Sequence, residues 1–183
     1  WVASDHFVEL GEPERLFHGG FGLLTVGNLR KPRFWAIRMF ELLGDRELRA
    51  TLGGDGAGGL VETWATRDDD GRVAIAIWNG TLDQTKAAGD PLLDRTVALS
   101  IDGLPPRAYL LRHRRVDATH SNIAAHWDGG DWPDEAGWAR LHAADRLEDL
   151  EPERTVEVSA DGRLEVAFGL PMPSISLVEV VPV

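Results

Sequence analysis

The spacing of apolar residues changes once along the chain. Over residues 1 to about 50 it reads as strand, loop and helix. Trp1–Glu9 is an extended, apolar-rich stretch. Gly11 to Gly22 is a loop dense in glycine, with Pro13, Gly19 and Gly20, and Phe21–Val26 is a short apolar piece. Lys31-Pro32 opens a helix, with proline at a favoured first-turn position. Phe34, Ile37, Phe40 and Leu43 recur near the helical period, Trp35, Met39 and Leu42 widen the stripe, and Gly44 is a stop. From about residue 58 the period becomes that of strands. Leu60–Arg67 and Arg72–Asn79 flank Asp68-Asp69-Asp70-Gly71, a hairpin signal. Val73, Ile75 and Ile77 point one way and Ala74, Ala76 and Trp78 the other, so both faces of that strand should be covered. Arg95–Ile101, Ala108–Val116, Thr155–Ser159, Leu164–Phe168 and Ser174–Val181 follow, the middle pair around a second hairpin signal at Ala160-Asp161-Gly162. A short helix is predicted over 134–147, with Trp138, Leu141 and Ala144 on one face.

The pattern predicts a mainly β protein: a β-sandwich of about seven strands preceded by one βα unit. A lone βα unit cannot bury its own faces, because a parallel strand needs neighbours on both sides. The opening stretch therefore points to a larger body. The expected organisation is a βα unit over 1–50 and a sandwich over 58–183, joined by the glycine-rich run Gly53–Gly59, which reads as a flexible linker.

Composition narrows the function. The chain has 183 residues, 43% of them apolar and 27% charged, an ordinary soluble globular profile. A net charge of -11 repels a phosphate backbone, which argues against nucleic acid. The longest apolar runs are too short to span a bilayer, and no signal-peptide pattern is visible. A soluble protein results, with the cytoplasm slightly favoured and no membrane partner. Arg112 and Arg114 share a strand face, where pairing with the many carboxylates is expected.

Candidate chemistry is sparse. No cysteine is present, which excludes disulfides and thiolates. The histidines His6, His18, His113, His120, His126 and His142 lack ligand spacing, so no metal and no cofactor is expected. Asp5 and Glu9 would lie on one strand face roughly 13 Å apart, too far for a glycosidase carboxylate pair. Gly53–Gly59 lacks the Lys-Ser/Thr of a phosphate loop. Asn79-Gly80-Thr81 matches a glycosylation sequon. Trp127, Trp132 and Trp138, interleaved with Asp128, Asp131 and Asp134, suit either sugar stacking or the filling of a core or seam, with packing favoured.

The N-terminal motifs are more specific. Trp1, Ser4-Asp5, Phe7 and Glu9, then Phe17-His18-Gly19-Gly20-Phe21-Gly22-Leu23-Leu24 and Lys31-Pro32, resemble the end of the catalytic barrel in glycoside hydrolase family 39, the family of β-xylosidases and α-L-iduronidases. Arg115-Val116-Asp117, His120-Ser121-Asn122, Trp127 and the run from Leu170-Pro171 to Glu179 are similar to the family's β-sandwich, and the His-Ser-Asn segment favours the β-xylosidase branch. The resemblance covers almost the whole chain. It departs at Val8-Glu9, where the family has two adjacent glutamates, and at Val2-Ala3, where it has Thr-Phe.

The resemblance implies a chain that starts on the eighth strand of a (β/α)8 barrel, where the site lies at the C-terminal strand ends. The acid/base and nucleophile glutamates would then sit on absent strands, leaving no catalytic residue here and an inactive fragment. Trp1 would line the glycone pocket and Glu9 would bond sugar hydroxyls. The implied partners are the missing N-terminal catalytic barrel and a xyloside-type carbohydrate, with room for a homo-oligomer. The alternative is a stand-alone, non-catalytic carbohydrate-binding or interaction module using the Trp127, Trp132 and Trp138 region.

Overall fold

The computed structural model describes residues 2–6 and 11–183. Its scaffold is a six-stranded antiparallel sheet with a two-stranded sheet on one face and a helix on the other. In chain order the elements are α1 (Pro32–Glu41), β1 (Arg46–Leu48), β2 (Val61–Arg67), β3 (Val73–Asn79), β4 (Arg95–Ile101), β5 (Ala108–Val116), α2 (Glu135–Ala144), β6 (Glu148–Glu157), β7 (Leu164–Leu170) and β8 (Ser174–Pro182). The large sheet runs β1-β2-β3-β8-β5-β6, and β4 pairs with β7 above it.

Alternation decides which face each strand buries. Val73, Ile75 and Ile77 enter the core between the sheets with Tyr109, Leu111, Val178 and Val180. Ala74 and Ala76 turn the other way, against Trp35 and Met39 of α1, so both faces of β3 are covered as its pattern predicts. The helix buries Trp35 and Met39, one turn apart, while Phe34 and Ile37 are half-buried and Phe40 is exposed. The docked side is thus the flank of the predicted stripe rather than its centre. The small residues Ala74 and Ala76 leave room there for the largest side chains of the helix.

The second Asp-Gly turn does not make a hairpin. β6 pairs with β5 and β7 with β4, so residues 158–163 arch from one layer to the other. Val158 is buried at this crossing, and Gly162 at φ 68 accepts from the Leu104 N–H through its carbonyl at 3.0 Å. The Asp68–Gly71 turn does close the antiparallel pair β2–β3. β6 begins seven residues before the predicted Thr155, and β1 went unseen; the acidic run Glu148–Glu153 and the three-residue β1 carry little strand propensity.

Gly53–Gly59 is a folded turn, unlike the linker the glycines suggest. Val61 N–H donates to the Gly56 carbonyl at 2.8 Å, and Arg95 Nη2 lies 2.9 Å from the Asp55 carboxylate. Arg112 pairs with Asp149 and Glu153, and Arg114 with Glu179, as their shared face predicts. No helix among the described residues is long and apolar enough to cross a membrane.

Candidate functional site

The N-terminal motifs converge on Asp5, a carboxylate almost wholly buried at 3% exposure. Segment 2–4 runs beside Leu23 and Leu24: the Leu24 N–H donates to the Ala3 carbonyl at 3.0 Å, and Asp5 N–H to the Leu24 carbonyl at 2.9 Å. Of the strand predicted over Trp1–Glu9, the described residues 2–6 show a single bridge from Ser4 to Leu24, followed by a turn at Asp5 and His6 that sends the Asp5 side chain inward; residues 1 and 7–9 lie outside the described residues. Gly22 N–H donates to Asp5 Oδ1 at 2.7 Å, and Lys31 Nζ donates to Oδ2 at 2.8 Å and Oδ1 at 3.1 Å. Lys31 also donates to the Gly20 carbonyl at 2.7 Å.

Each partner is placed by its local chemistry. Lys31 is the extended N-cap of α1, with Pro32 starting the first turn, so its side chain projects back toward the loop. Glycine is required at 20 and 22 by close approach rather than by a left-handed backbone. A Cβ at 20 would strike the Asp5 carboxyl and the His18 ring, and one at 22 would strike the Ser4–Asp5 backbone. His18 Nε2 stands 3.9 Å from Asp5 Oδ2, too long for a hydrogen bond. With both oxygens engaged, Asp5 acts as an anchor for residues 2–6 and not as a free acid. Trp1 and Glu9, the predicted sugar-contacting residues, lie outside the described residues.

A second junction fixes this segment to the region between β5 and β6. Arg30 N–H donates to both Asp145 oxygens at 3.2 Å, and Arg30 Nη1 to Oδ2 at 3.3 Å. Burial pushes the Asp145 carboxyl up, against the opposing pull of the Arg30 N–H and guanidinium. Leu16 N–H donates to the Asp131 carbonyl at 2.8 Å. Leu16 and Leu29 share a core with Ile123 and Leu141, against which Trp127 and Trp138 pack. Trp138 lies so close over Gly27 that no side chain fits there. Trp132 alone of the three is exposed, at 43%. Trp127 and Trp138 therefore pack in a seam, the outcome favoured from sequence, while Trp132 stays at the surface.

The Arg115–Asn122 motifs make a buried polar knot. Arg115, 1% exposed, donates to Ser176 Oγ at 3.0 Å, to the Gly169 carbonyl at 2.7 Å and to Asp117 at 3.4 Å. Burial raises the Asp117 carboxyl, but the Thr119 and His120 N–H groups and the His120 ring outweigh it and hold the acid below its usual range. Ser121 Oγ donates to the Arg115 carbonyl at 2.7 Å and its N–H to Glu148 at 2.6 Å. The Asn79 sequon is closed: Asn79 is 1% exposed and its amide donates to the Leu93 and Leu170 carbonyls. Among the described residues no group of three His, Cys, Asp or Glu could hold a metal ion.

The family model described as glycosyl hydrolases family 39 matches residues 1–165, which include the Asp5 anchor, the tryptophan seam and the Arg115–Asn122 side of the polar knot. The chain belongs to glycosyl hydrolase family 39. A β-xylosidase of Geobacillus stearothermophilus is 28% identical over 182 residues, 98% of this chain and 32% of the relative. The crystal structure of a monomeric β-xylosidase from Caulobacter crescentus CB15 is 28% identical with a TM-score of 0.71, over all of this chain and 37% of that one. A family 39 enzyme from Xanthomonas axonopodis pv. citri shares the fold at a TM-score of 0.80 and 22% identity, again over all of this chain and 36% of that one. The chain thus spans about a third of the length of these relatives.

Proposed function

We propose that this chain is the C-terminal portion of a retaining glycoside hydrolase of β-xylosidase type, which removes terminal xylose from xylosides or xylo-oligosaccharides. The carrying observation is the alignment of 98% of the chain with a β-xylosidase, of which it spans 32%. In this reading the last strand, loop and helix of the catalytic barrel lie within residues 1–45, and the accessory sandwich begins with β1, which pairs with β2. The reaction is a double displacement through a covalent glycosyl-enzyme, driven by two carboxylates about 5 Å apart. Both carboxylates are supplied by polypeptide outside this sequence. The contribution of this chain is a wall of the glycone pocket: Trp1 stacks on the sugar and Glu9 accepts from its hydroxyls. They stand four residues either side of Asp5 in the sequence, and Asp5 pairs with Lys31. The packing of Trp127 and Trp138 supports this reading over a free-standing sugar-binding module.

The test is the intact mass of the native gene product together with hydrolysis of an aryl β-xyloside. A product far heavier than 20.1 kDa that cleaves the xyloside is expected. In it, Glu9→Gln should lower kcat/KM about 10- to 100-fold, the loss of a charge-assisted hydrogen bond. A native product of 20.1 kDa that is inactive yet retained on xylan overturns the proposal.

A further inference from the structure

Phe21 is 81% exposed, the most open aromatic ring among the described residues, with Trp64 and Trp132 next at 44% and 43%. A single exposed ring is ordinary on a protein surface. What sets this one apart is its backbone. A Cβ at Gly20 would come within 2.6 Å of the Asp5 carboxyl carbon, and one at Gly22 within 2.5 Å of the Asp5 nitrogen, so residue 21 is clamped against the buried anchor on both sides. Gly22 N–H donates to Asp5 Oδ1 at 2.7 Å, and Arg33 Nη1 donates to the Phe21 carbonyl at 3.4 Å. The fold thus fixes the position of a ring that it leaves uncovered.

His6 directly follows Asp5 and is exposed as well. Its Nδ1 pairs with Ser4 Oγ, and its N–H lies 3.4 Å from the same oxygen, so the ring is oriented by Ser4 and Nε2 is the polar atom left for a ligand. Position gives the two side chains a use. In a barrel reading both belong to the connection from the last strand to α1, and such connections surround the site of a (β/α)8 barrel. The other barrel helices form the outer ring and pack beside α1, away from that face. An enzyme that removes one terminal sugar holds that sugar at the closed end of its pocket and the leaving group toward the rim. Trp1 and Glu9 are assigned to the terminal sugar, and the groups of the same connection that stay open to solvent border the rim. Phe21 offers a flat apolar face on which a ring stacks, and His6 a hydrogen bond for a hydroxyl.

We propose that Phe21 and His6 form the leaving-group side of the substrate site, where Phe21 stacks on the ring next to the scissile bond and His6 bonds a hydroxyl of it. The site then favours a pyranose as the leaving unit. This rests on the reading of the chain as part of a β-xylosidase and adds to it the residues that select the leaving group.

Three substrates with one glycone, assayed on the native gene product, test the proposal. The leaving group of xylobiose has a ring and hydroxyls, that of phenyl β-xyloside has a ring alone, and that of β-xylosyl fluoride has neither. Relative to the fluoride, Phe21→Ala should lower kcat/KM about tenfold on xylobiose and on the phenyl xyloside, and Phe21→Tyr should retain most of it. His6→Ala should lower the same ratio about 3- to 10-fold on xylobiose and not on the phenyl xyloside. A side chain that only supports the fold changes all three substrates alike. That result in either variant, or no change at all, overturns the subsite and leaves the β-xylosidase reading standing. A native product that cleaves none of the three overturns both.

Discussion

His113 makes the fold sensitive to mild acid. Its ring is 1% exposed, edge-on to Phe168 at 4.4 Å, with Nε2 2.9 Å from Ser176 Oγ. Ser176 Oγ also accepts from Arg115 Nε at 3.0 Å, which sets the guanidinium charge beside the histidine ring. Burial, then the Arg115 charge, then His120 push the imidazole pKa down to about 4 from 6.5. Above pH 6.5 the ring is neutral both folded and unfolded, and stability is full. Between pH 6.5 and 4 the unfolded chain takes up a proton that the folded chain refuses, so stability falls with pH. By linkage the loss is about 2 kcal/mol at pH 5 and about 3 kcal/mol by pH 4. His113→Gln keeps an amide near Ser176 but does not titrate. Urea unfolding of both proteins at pH 7 and pH 5 removes the contribution of the carboxylates by subtraction. The wild type should lose about 2 kcal/mol more than the variant, a midpoint shift of about 1 M. Equal losses in the two proteins refute the reasoning.

Two further outcomes follow from the N-terminal junctions. Lys31→Met should destabilise by about 2–3 kcal/mol, because it leaves the buried Asp5 carboxylate with Gly22 N–H alone. Adding Asp5→Asn should recover much of that loss, and simple additivity in thermal unfolding would show that the two side chains do not act as a pair. Gly27→Ala should cost about 1–3 kcal/mol through its clash with Trp138. The same substitution in a Trp138→Val background should cost little, and an undiminished loss there would place the strain elsewhere.

Local periodicity carried most of the strands, since alternation in β3, β4 and β5 reports directly which side chain meets a core. It could not say which strands pair. Ala160-Asp161-Gly162 is the same turn chemistry whether the chain folds back in one sheet or crosses between two, and only Val158 and Leu164, buried in the core between the sheets, distinguish the cases. β6 hid because an edge strand is selected for charge, which lowers the signal used to find it. The site was half legible. Asp5, His18, Gly20, Gly22 and Lys31 all stand within the N-terminal motifs, but spacing sets Asp5 against Glu9 and composition makes Lys31 a helix start. Their meeting depends on a separation of 26 residues bridged by a turn that no period describes. Gly20 and Gly22, either side of Phe21 and neither at positive φ, were the available signal, because such glycines mark where a backbone must come close to something else.

The bond from Arg30 to Asp145 joins residues 115 apart in sequence. On a ribosome adding about 5–20 residues each second, Arg30 would wait roughly 6–23 s for its partner to be made. Throughout that interval Leu16, Leu29 and Gly27 lack Leu141 and Trp138. The Leu16–Arg30 segment is therefore among the earliest parts of this sequence to be synthesised, and its packing is among the last to settle. Its maturation is timed by α2, more than a hundred residues downstream, and substitutions in that helix should appear first as slow acquisition of the N-terminal structure rather than as a defect in the sheets.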